Sequence, residues 1–209
     1  MYCSDGICVC QFHIKGGIFM IITIGREYGS GGHDIGVMLS NKLGIKLYDK
    51  ERLKEEAKLA GIYEEVQLFY EEEPVNSLLY AIAQNNCAAG IGRIPFHHIH
   101  EIAHREPCII IGRCANHILK DDPELVSIFI HAEMDKRIEK IAHDNKVRPE
   151  QAKKMIAKED KRRENFFYYY TGTHWRDVGN YHLCIDRGRL GMDGSVELIQ
   201  EYISKLGIS

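Results

Sequence analysis

Apolar residues along this chain follow two patterns, short dense runs and longer stretches in which they recur every three or four positions. The short runs predict strands, and they lie at residues 21–24, 45–48, 108–111, 125–130 and 182–186. The run at 108–111 is apolar throughout, as expected for a central parallel strand covered on both faces. The longer stretches between them have the spacing of amphipathic helices. Because predicted strands alternate with predicted helices, the pattern indicates an α/β protein with a parallel sheet.

The predicted helices have recognisable ends. The first presents one apolar face before it stops at Gly44, and that face carries Ile35, Met38, Leu39 and Leu43. Residues 50–105 are mostly polar with helical spacing, so we expect helices there. Two more are predicted near 133–146 and from Pro149, whose ring suits a first helical position. A closing amphipathic helix is predicted over residues 195–206.

Composition limits the classes of protein to consider. The chain has 209 residues, 44% of them hydrophobic and 27% charged, which fits one domain or a domain with a small lid. No apolar run approaches the ~20 residues that span a bilayer, so we expect no membrane partner. The formal net charge of -3 is unlike that of basic nucleic-acid-binding domains, so we expect no nucleic-acid partner. The oligomeric state is left open.

Cysteine usage indicates a reducing compartment. The chain has 7 cysteines, an odd number at irregular spacing, which does not predict a disulfide framework. Cys108 and Cys184 lie inside apolar runs, where a free thiol behaves as a small hydrophobic side chain, so both are predicted to be buried in strands. We therefore expect a cytoplasmic protein.

Residues 1–19 fit poorly with the rest of the chain. They lack the basic start and sustained apolar stretch of a secretory signal. Met20 stands directly before the first predicted strand, and Lys15, Gly16 and Gly17 can be encoded by a purine-rich stretch that resembles a bacterial ribosome-binding site. Our hypothesis is that native translation starts at Met20 and that 1–19 is a leader; the alternative is a real but disordered tail. The domain then covers residues 20–209.

A glycine-rich turn separates the first strand from the first helix. The turn and the start of the helix consist of Gly29, Ser30, Gly31, Gly32, His33 and Asp34. Successive backbone N–H groups and a helix N-terminus bind phosphate well, although an ordinary tight turn is the alternative. The usual P-loop lysine is replaced by Gly32, so positive charge must come from elsewhere. Arg26, at the end of the strand, is the nearest candidate.

Several other side chains are candidates for phosphate chemistry. Arg113 follows the central apolar strand, at the sheet edge where α/β proteins bind ligands. Arg162 and Arg163 lie in a basic stretch that is either a phosphate clamp or a solvated helix face. Asp34 and Asp49 are candidate Mg²⁺ contacts, directly or through water, because Mg²⁺ prefers a few carboxylates together with phosphate oxygens.

A set of motifs spread over most of the chain forms a recognisable combination. It comprises ITIGREYGSGG at 22–32, LYD at 47–49, CIIIGRCA at 108–115, FIHA at 129–132 followed by Arg137, DKRR at 160–163, YYYTG at 168–172 and NYHLCID at 180–186. In these motifs, residues 20–207 resemble the cytidylate kinase-like family, a divergent branch of the P-loop nucleoside monophosphate kinases.

The resemblance implies a fold and an activity. It implies a three-layer α/β/α P-loop core with five parallel strands in the order 2-3-1-4-5, a monophosphate-binding region at about 50–105 and a helical lid at about 155–178. The implied activity is transfer of the ATP γ-phosphoryl group to a nucleoside monophosphate, CMP or dCMP, with ATP and Mg²⁺ as cofactors.

The resemblance also implies roles for individual residues. Arg113 matches the arginine that contacts the monophosphate, and Asp49 and Arg137 are further substrate-binding candidates. The implied catalytic cations are Arg26, Arg113, Arg162 and Arg163. The chain departs from true cytidylate kinases at Gly32 and at Cys114, where they have lysine and aspartate. Two alternatives therefore stay open, a regulatory module that binds nucleotide without transfer and a kinase of a small non-nucleotide metabolite.

Overall fold

A computed structural model describes residues 19–72 and 93–207 of the chain. Its sheet has five strands, all parallel, in the order β2-β3-β1-β4-β5. The strands are β1 (Ile21–Arg26), β2 (Lys46–Tyr48), β3 (Cys108–Ile111), β4 (Leu125–His131) and β5 (Leu183–Asp186). This confirms the predicted α/β class and strand order. The proposed leader lies outside the described residues, except for residue 19.

Helices cover both faces of the sheet. In the described ranges they are α1 (Gly32–Leu43), α2 (Lys50–Leu59), α3 (Tyr63–Glu71), α4 (Arg93–Ala103), α5 (Ala115–Ile118), α6 (Met134–Asn145), α7 (Pro149–Thr171) and α8 (Arg187–Lys205). Alternate residues of β1 point to opposite faces. Ile22 and Ile24 join the core formed with α1 and α8, whereas Ile21 joins the core on the side of α2 to α4. Within the described part of the chain, no helix is both long and apolar enough to cross a membrane.

Two details differ from the sequence-based prediction. The last helix begins at Arg187, well before the predicted residue 195, and it is interrupted at Gly191, where φ is 72° and ψ is -175°. The apolar spacing is weak before that break, so the sequence pattern did not extend back to it. Cys184 is exposed, and its predicted burial is wrong. It lies on β5, an edge strand, where one face of an apolar run can remain open to solvent.

The two regions implied by the resemblance are only partly described. Helices α2, α3 and α4 lie within the range 50–105, where helices were expected, and residues 73–92 lie outside the described part. The range 155–178 starts inside α7, a continuous helix of 23 residues, and ends in a short 3-10 turn over Val178–Asn180. The role of this range as a lid stays a prediction.

Candidate active site

The glycine turn lies between β1 and α1 at the carboxyl edge of the sheet. Gly29 and Gly31 have φ values of 82° and 81°, which favour glycine. A Cβ at Gly29 would also lie 3.0 Å from the carbonyl oxygen of Arg137. Gly31 caps α1 without any side-chain hydrogen bond, so the first amides of the helix are not satisfied by a cap. These open amides, with the positive end of the helix dipole, form a surface suited to phosphate.

The side chain of Arg26 fills the space beside Gly32. A Cβ at position 32 would lie 2.5 Å from Cβ and 3.0 Å from Cγ of Arg26. Further along, a Cβ at Gly112 would collide with Nη1 of Arg26. The side chain of Arg26 therefore passes between Gly32 and Gly112. It occupies the space that a side chain at either position would need. The position that carries lysine in the usual P-loop is thus next to an arginine from the preceding strand.

Strand β3 ends in a left-handed turn that carries Arg113. Gly112, Arg113 and Cys114 have φ values of 73°, 57° and 55°. Left-handed backbone costs about 1–2 kcal/mol for a residue with a Cβ, so two adjacent examples are unusual. The turn is closed by a hydrogen bond from the Ala115 amide to the Gly112 carbonyl, 3.1 Å long. Arg113 is 4% exposed. Strain of this kind is typical of functional sites.

Helix α7 brings two more arginines to the same place. Arg163 donates from Nη1 to the carbonyl oxygen of Arg26 at 2.9 Å. Arg162 donates from Nη1 to the carbonyl oxygen of Glu71 at 3.0 Å and from Nη2 to Glu159 at 2.6 Å. The structure therefore brings together the four arginines that were predicted as catalytic cations, from three separate segments of the chain.

Three of these arginines, Arg26, Arg113 and Arg163, line one narrow cavity. The Nε atom of each is buried and has no hydrogen-bond partner among the described residues. Burial, followed by the charges of Arg163 and Arg162, lowers the pKa of Arg113 to about 9. Burial and the charges of Arg163 and Arg113 also lower the pKa of Arg26. Buried cations with unused donors are expected to attract an anion.

One carboxylate already lies in this arginine cluster. Glu72 is 3% exposed, and its Oε1 pairs with Nη1 of Arg113. Its Oε2 lies 3.5 Å from Nη2 of Arg162. Glu72 follows α3 with a φ of 52°, a left-handed conformation that directs the chain as the helix ends. The sequence around Glu72 predicts only a helix break. Nothing in that local pattern indicates that the side chain pairs with a residue as distant as Arg113.

Arg137, a predicted substrate-binding residue, lies in a network of ion pairs. It is 2% exposed and contacts Asp160 and Glu27, the latter at 3.2 Å. Its Nε donates to the carbonyl oxygen of Tyr28 at 2.8 Å, and the Tyr28 amide donates to Asp160 at 2.9 Å. Arg176 pairs with both acids at 2.9 Å. These contacts tie the glycine turn to α6 and α7, and substrate contact by Arg137 stays a prediction.

The predicted Mg²⁺ residues lie on either side of His33. Asp49 accepts a hydrogen bond from the Arg52 amide at 3.0 Å and contacts Nε2 of His33 at 3.1 Å. Burial raises the pKa of Asp49, but these two hydrogen bonds outweigh it and lower the pKa overall. Asp34 pairs with Lys140 at 2.9 Å. Both carboxyl groups offer oxygen donors next to the start of α1, a donor set that fits Mg²⁺ held with phosphate oxygens.

A family model matches most of this chain. The cytidylate kinase-like family model covers residues 21–189, which include the glycine turn, the Arg113 turn and the arginines of α7. The chain belongs to the cytidylate kinase-like family. Family membership supports a kinase that acts on a nucleotide or small molecule. Comparison with curated proteins returned no match.

Solved structures share the fold of this chain. An uncharacterized protein from Eubacterium ventriosum ATCC 27560 is 31% identical, with a TM-score of 0.70, over 88% of this chain and 98% of that chain. A shikimate kinase from Bacteroides thetaiotaomicron is 15% identical, with a TM-score of 0.52, over 88% and 98% respectively. The second likeness concerns the fold, which is that of the P-loop kinases.

Proposed function

We propose that this chain is a phosphotransferase that moves the γ-phosphoryl group of ATP to a nucleoside monophosphate, with CMP and dCMP as the first candidates. The observation that carries the proposal is the path of Arg26. Its side chain occupies the space beside Gly32 and reaches the cavity that Arg113 and Arg163 also line. In this proposal Arg26 supplies the positive charge that a P-loop lysine supplies in related kinases.

The remaining site residues fit the demands of phosphoryl transfer. The transition state spreads negative charge over phosphoryl oxygens, so fixed cations around it lower the barrier. Arg113 would contact the acceptor monophosphate, and Arg162 and Arg163 would face the transferred group. Mg²⁺ held near Asp34 and Asp49 would neutralise charge on the ATP phosphates. Gly29 to Asp34 would hold those phosphates through backbone amides.

The test is an ATP-coupled assay with a panel of acceptors. The panel contains the common nucleoside monophosphates and, because a shikimate kinase shares the fold, shikimate and similar hydroxy acids. We expect turnover with a nucleoside monophosphate and a loss of roughly 10²–10³ in kcat for Arg26→Ala. Arg189→Ala is the matched control, because its side chain is 79% exposed and makes only long ion pairs.

The other outcomes of this assay are equally informative. Turnover with a hydroxy acid and with no nucleoside monophosphate would show that the proposed acceptor is wrong and would favour a metabolite kinase. Tight ATP binding without turnover on any acceptor would favour the regulatory module. If Arg26→Ala and Arg189→Ala had the same kcat, the role given to Arg26 would be refuted.

A further inference from the structure

The side chain of Arg187, at the edge of the sheet, donates hydrogen bonds to two carbonyl oxygens of the glycine turn. Arg187 is the first residue of α8, directly after β5, and β4 lies between that strand and β1. Its Nε donates to the carbonyl oxygen of Ser30 at 2.7 Å, and its Nη2 donates to the carbonyl oxygen of Gly29 at 3.0 Å. One guanidinium thus holds two consecutive peptide groups of the glycine turn.

The hydrogen bond to the Ser30 carbonyl fixes the direction of the next amide along the chain. In a planar trans peptide the C=O and N–H point in opposite directions. Because the Ser30 carbonyl points at Arg187, the Gly31 N–H points away from it, toward the side of the loop on which phosphate is expected. Among the backbone hydrogen bonds of the described residues, the Gly31 N–H donates to no protein acceptor. It is therefore an oriented donor that remains available.

The break in α8 adds a second contact to the same loop. Gly191 has a φ of 72°, and the chain bends there. Beyond the bend, the sulfur of Met192 lies 3.0 Å from the position that a Cβ on Gly31 would take, and Nε of Arg187 lies 3.4 Å from it. The segment after β5 therefore supports the outer side of the loop with one cation and one thioether.

We propose that Arg187 is a positioning residue for phosphate binding, which sets the Gly31 amide toward the nucleotide phosphates without touching them itself. The inference rests on the proposed function for its ligand. It does not depend on which acceptor the enzyme uses, because both side-chain hydrogen bonds that Arg187 makes to the described residues go to the loop after β1.

The experiment compares three variants of the full chain. Arg187→Ala removes both hydrogen bonds, Arg187→Lys keeps the charge but cannot reproduce the two-donor fork, and Arg189→Ala removes the same charge two residues away. Each is measured for the dissociation constant of ADP, for acceptor KM and kcat, and for amide hydrogen exchange of residues 29–32 without nucleotide.

We expect Arg187→Ala to weaken ADP binding at least tenfold and to speed exchange in the loop, while acceptor KM changes less than twofold. Arg187→Lys should recover part of the affinity, and Arg189→Ala should match the wild type. Equal ADP affinity in Arg187→Ala and wild type, or equal losses in both alanine variants, would overturn the inference. If the wild type bound no ADP, the proposed function would fail, and unchanged loop exchange in Arg187→Ala would separately refute the positioning role.

Discussion

The carboxylate of Glu72 pairs with the guanidinium of Arg113 inside the cavity that Arg26 and Arg163 also line. An acceptor phosphate bound by Arg113 would have to displace this carboxylate or lie beside it. We therefore expect Glu72 to compete, as an internal anion, with an acceptor phosphate at Arg113.

Glu72→Gln is therefore expected to strengthen anion binding, because it keeps the shape of the side chain and removes its charge. We expect the dissociation constant for inorganic phosphate to fall by roughly tenfold, about 1.4 kcal/mol, as measured by calorimetry. Glu71→Gln is the matched control. The neighbouring Glu71 pairs with Lys50 and Lys54, which lower its pKa to about 2. Unchanged or weaker phosphate binding in Glu72→Gln would contradict the competition.

Restoring the usual lysine with Gly32→Lys is expected to damage the protein. Its Cβ would overlap the Cβ of Arg26, an atom that cannot turn aside because the backbone fixes it. Overpacking of this kind typically costs about 1–3 kcal/mol, which urea unfolding measures. Gly194→Lys is the control, because the nearest atom to a Cβ there is 3.6 Å away. Combining Gly32→Lys with Arg26→Gly should recover stability, and a purely additive loss would refute the proposed collision.

Asp160→Asn is expected to destabilise the fold and loosen the glycine turn. Asp160 is 7% exposed, pairs with Arg137 and Arg176, and accepts the Tyr28 amide. Removing one member of a buried ion pair costs about 3–5 kcal/mol, and urea unfolding would detect it. Glu159→Gln removes a neighbouring charge whose side chain is 25% exposed, and should cost about 1 kcal/mol or less. Equal losses of unfolding free energy in the two variants would show that the buried ion-pair network does not stabilise the fold.

His98 is expected to make stability depend on pH. It is 1% exposed, its Nδ1 lies 2.6 Å from the Tyr70 hydroxyl, and its Nε2 has no partner in the described part of the chain. Burial lowers the pKa of His98 in the folded protein. Below pH ~6.5 the unfolded chain therefore binds a proton that the folded chain resists. Neutral His98 does not lower the free energy of unfolding above that pH, whereas the folded state becomes less stable as pH falls below it.

The measurement is urea unfolding at pH 7.5 and pH 5.0. Wild type should lose more of its free energy of unfolding than His98→Gln over this interval, because burial lowers the pKa of His98 and protonation at pH 5.0 therefore favours the unfolded chain. His143→Gln, at a side chain that is 88% exposed, should keep the wild-type pH dependence. Identical slopes for wild type and His98→Gln would rule out His98 as the titrating group.

The fold was largely predictable because its strands are short runs rich in apolar residues that alternate with stretches of helical spacing. The failure at Cys184 shows the limit of that signal, since an apolar run does not reveal whether its strand lies at an edge. The strand order came from the family resemblance. Parallel pairing joins segments far apart in sequence, and no local pattern encodes it.

The position of a candidate site residue at the sheet edge was predictable where the residue directly follows a strand. The glycine turn and Arg113 are of this kind, because strand ends meet at one sheet edge. Glu72 and Arg187 were missed. Their partners are distant in sequence, and only tertiary packing brings them together. Arg137 was predicted as a substrate-binding candidate, whereas its contacts with Glu27 and Asp160 depend on how α6 and α7 pack, which one sequence does not show.

Helix α7 holds the end of β1 at two neighbouring points, through Arg163 at the Arg26 carbonyl and through Asp160 at the Tyr28 amide. The two side chains are one helical turn apart, so both hydrogen bonds would break together as long as that turn stays intact. A movement of α7 that withdraws Arg163 would therefore also release the Tyr28 amide beside the glycine turn. Opening the site to the acceptor would then weaken the binding of the nucleotide at the same time.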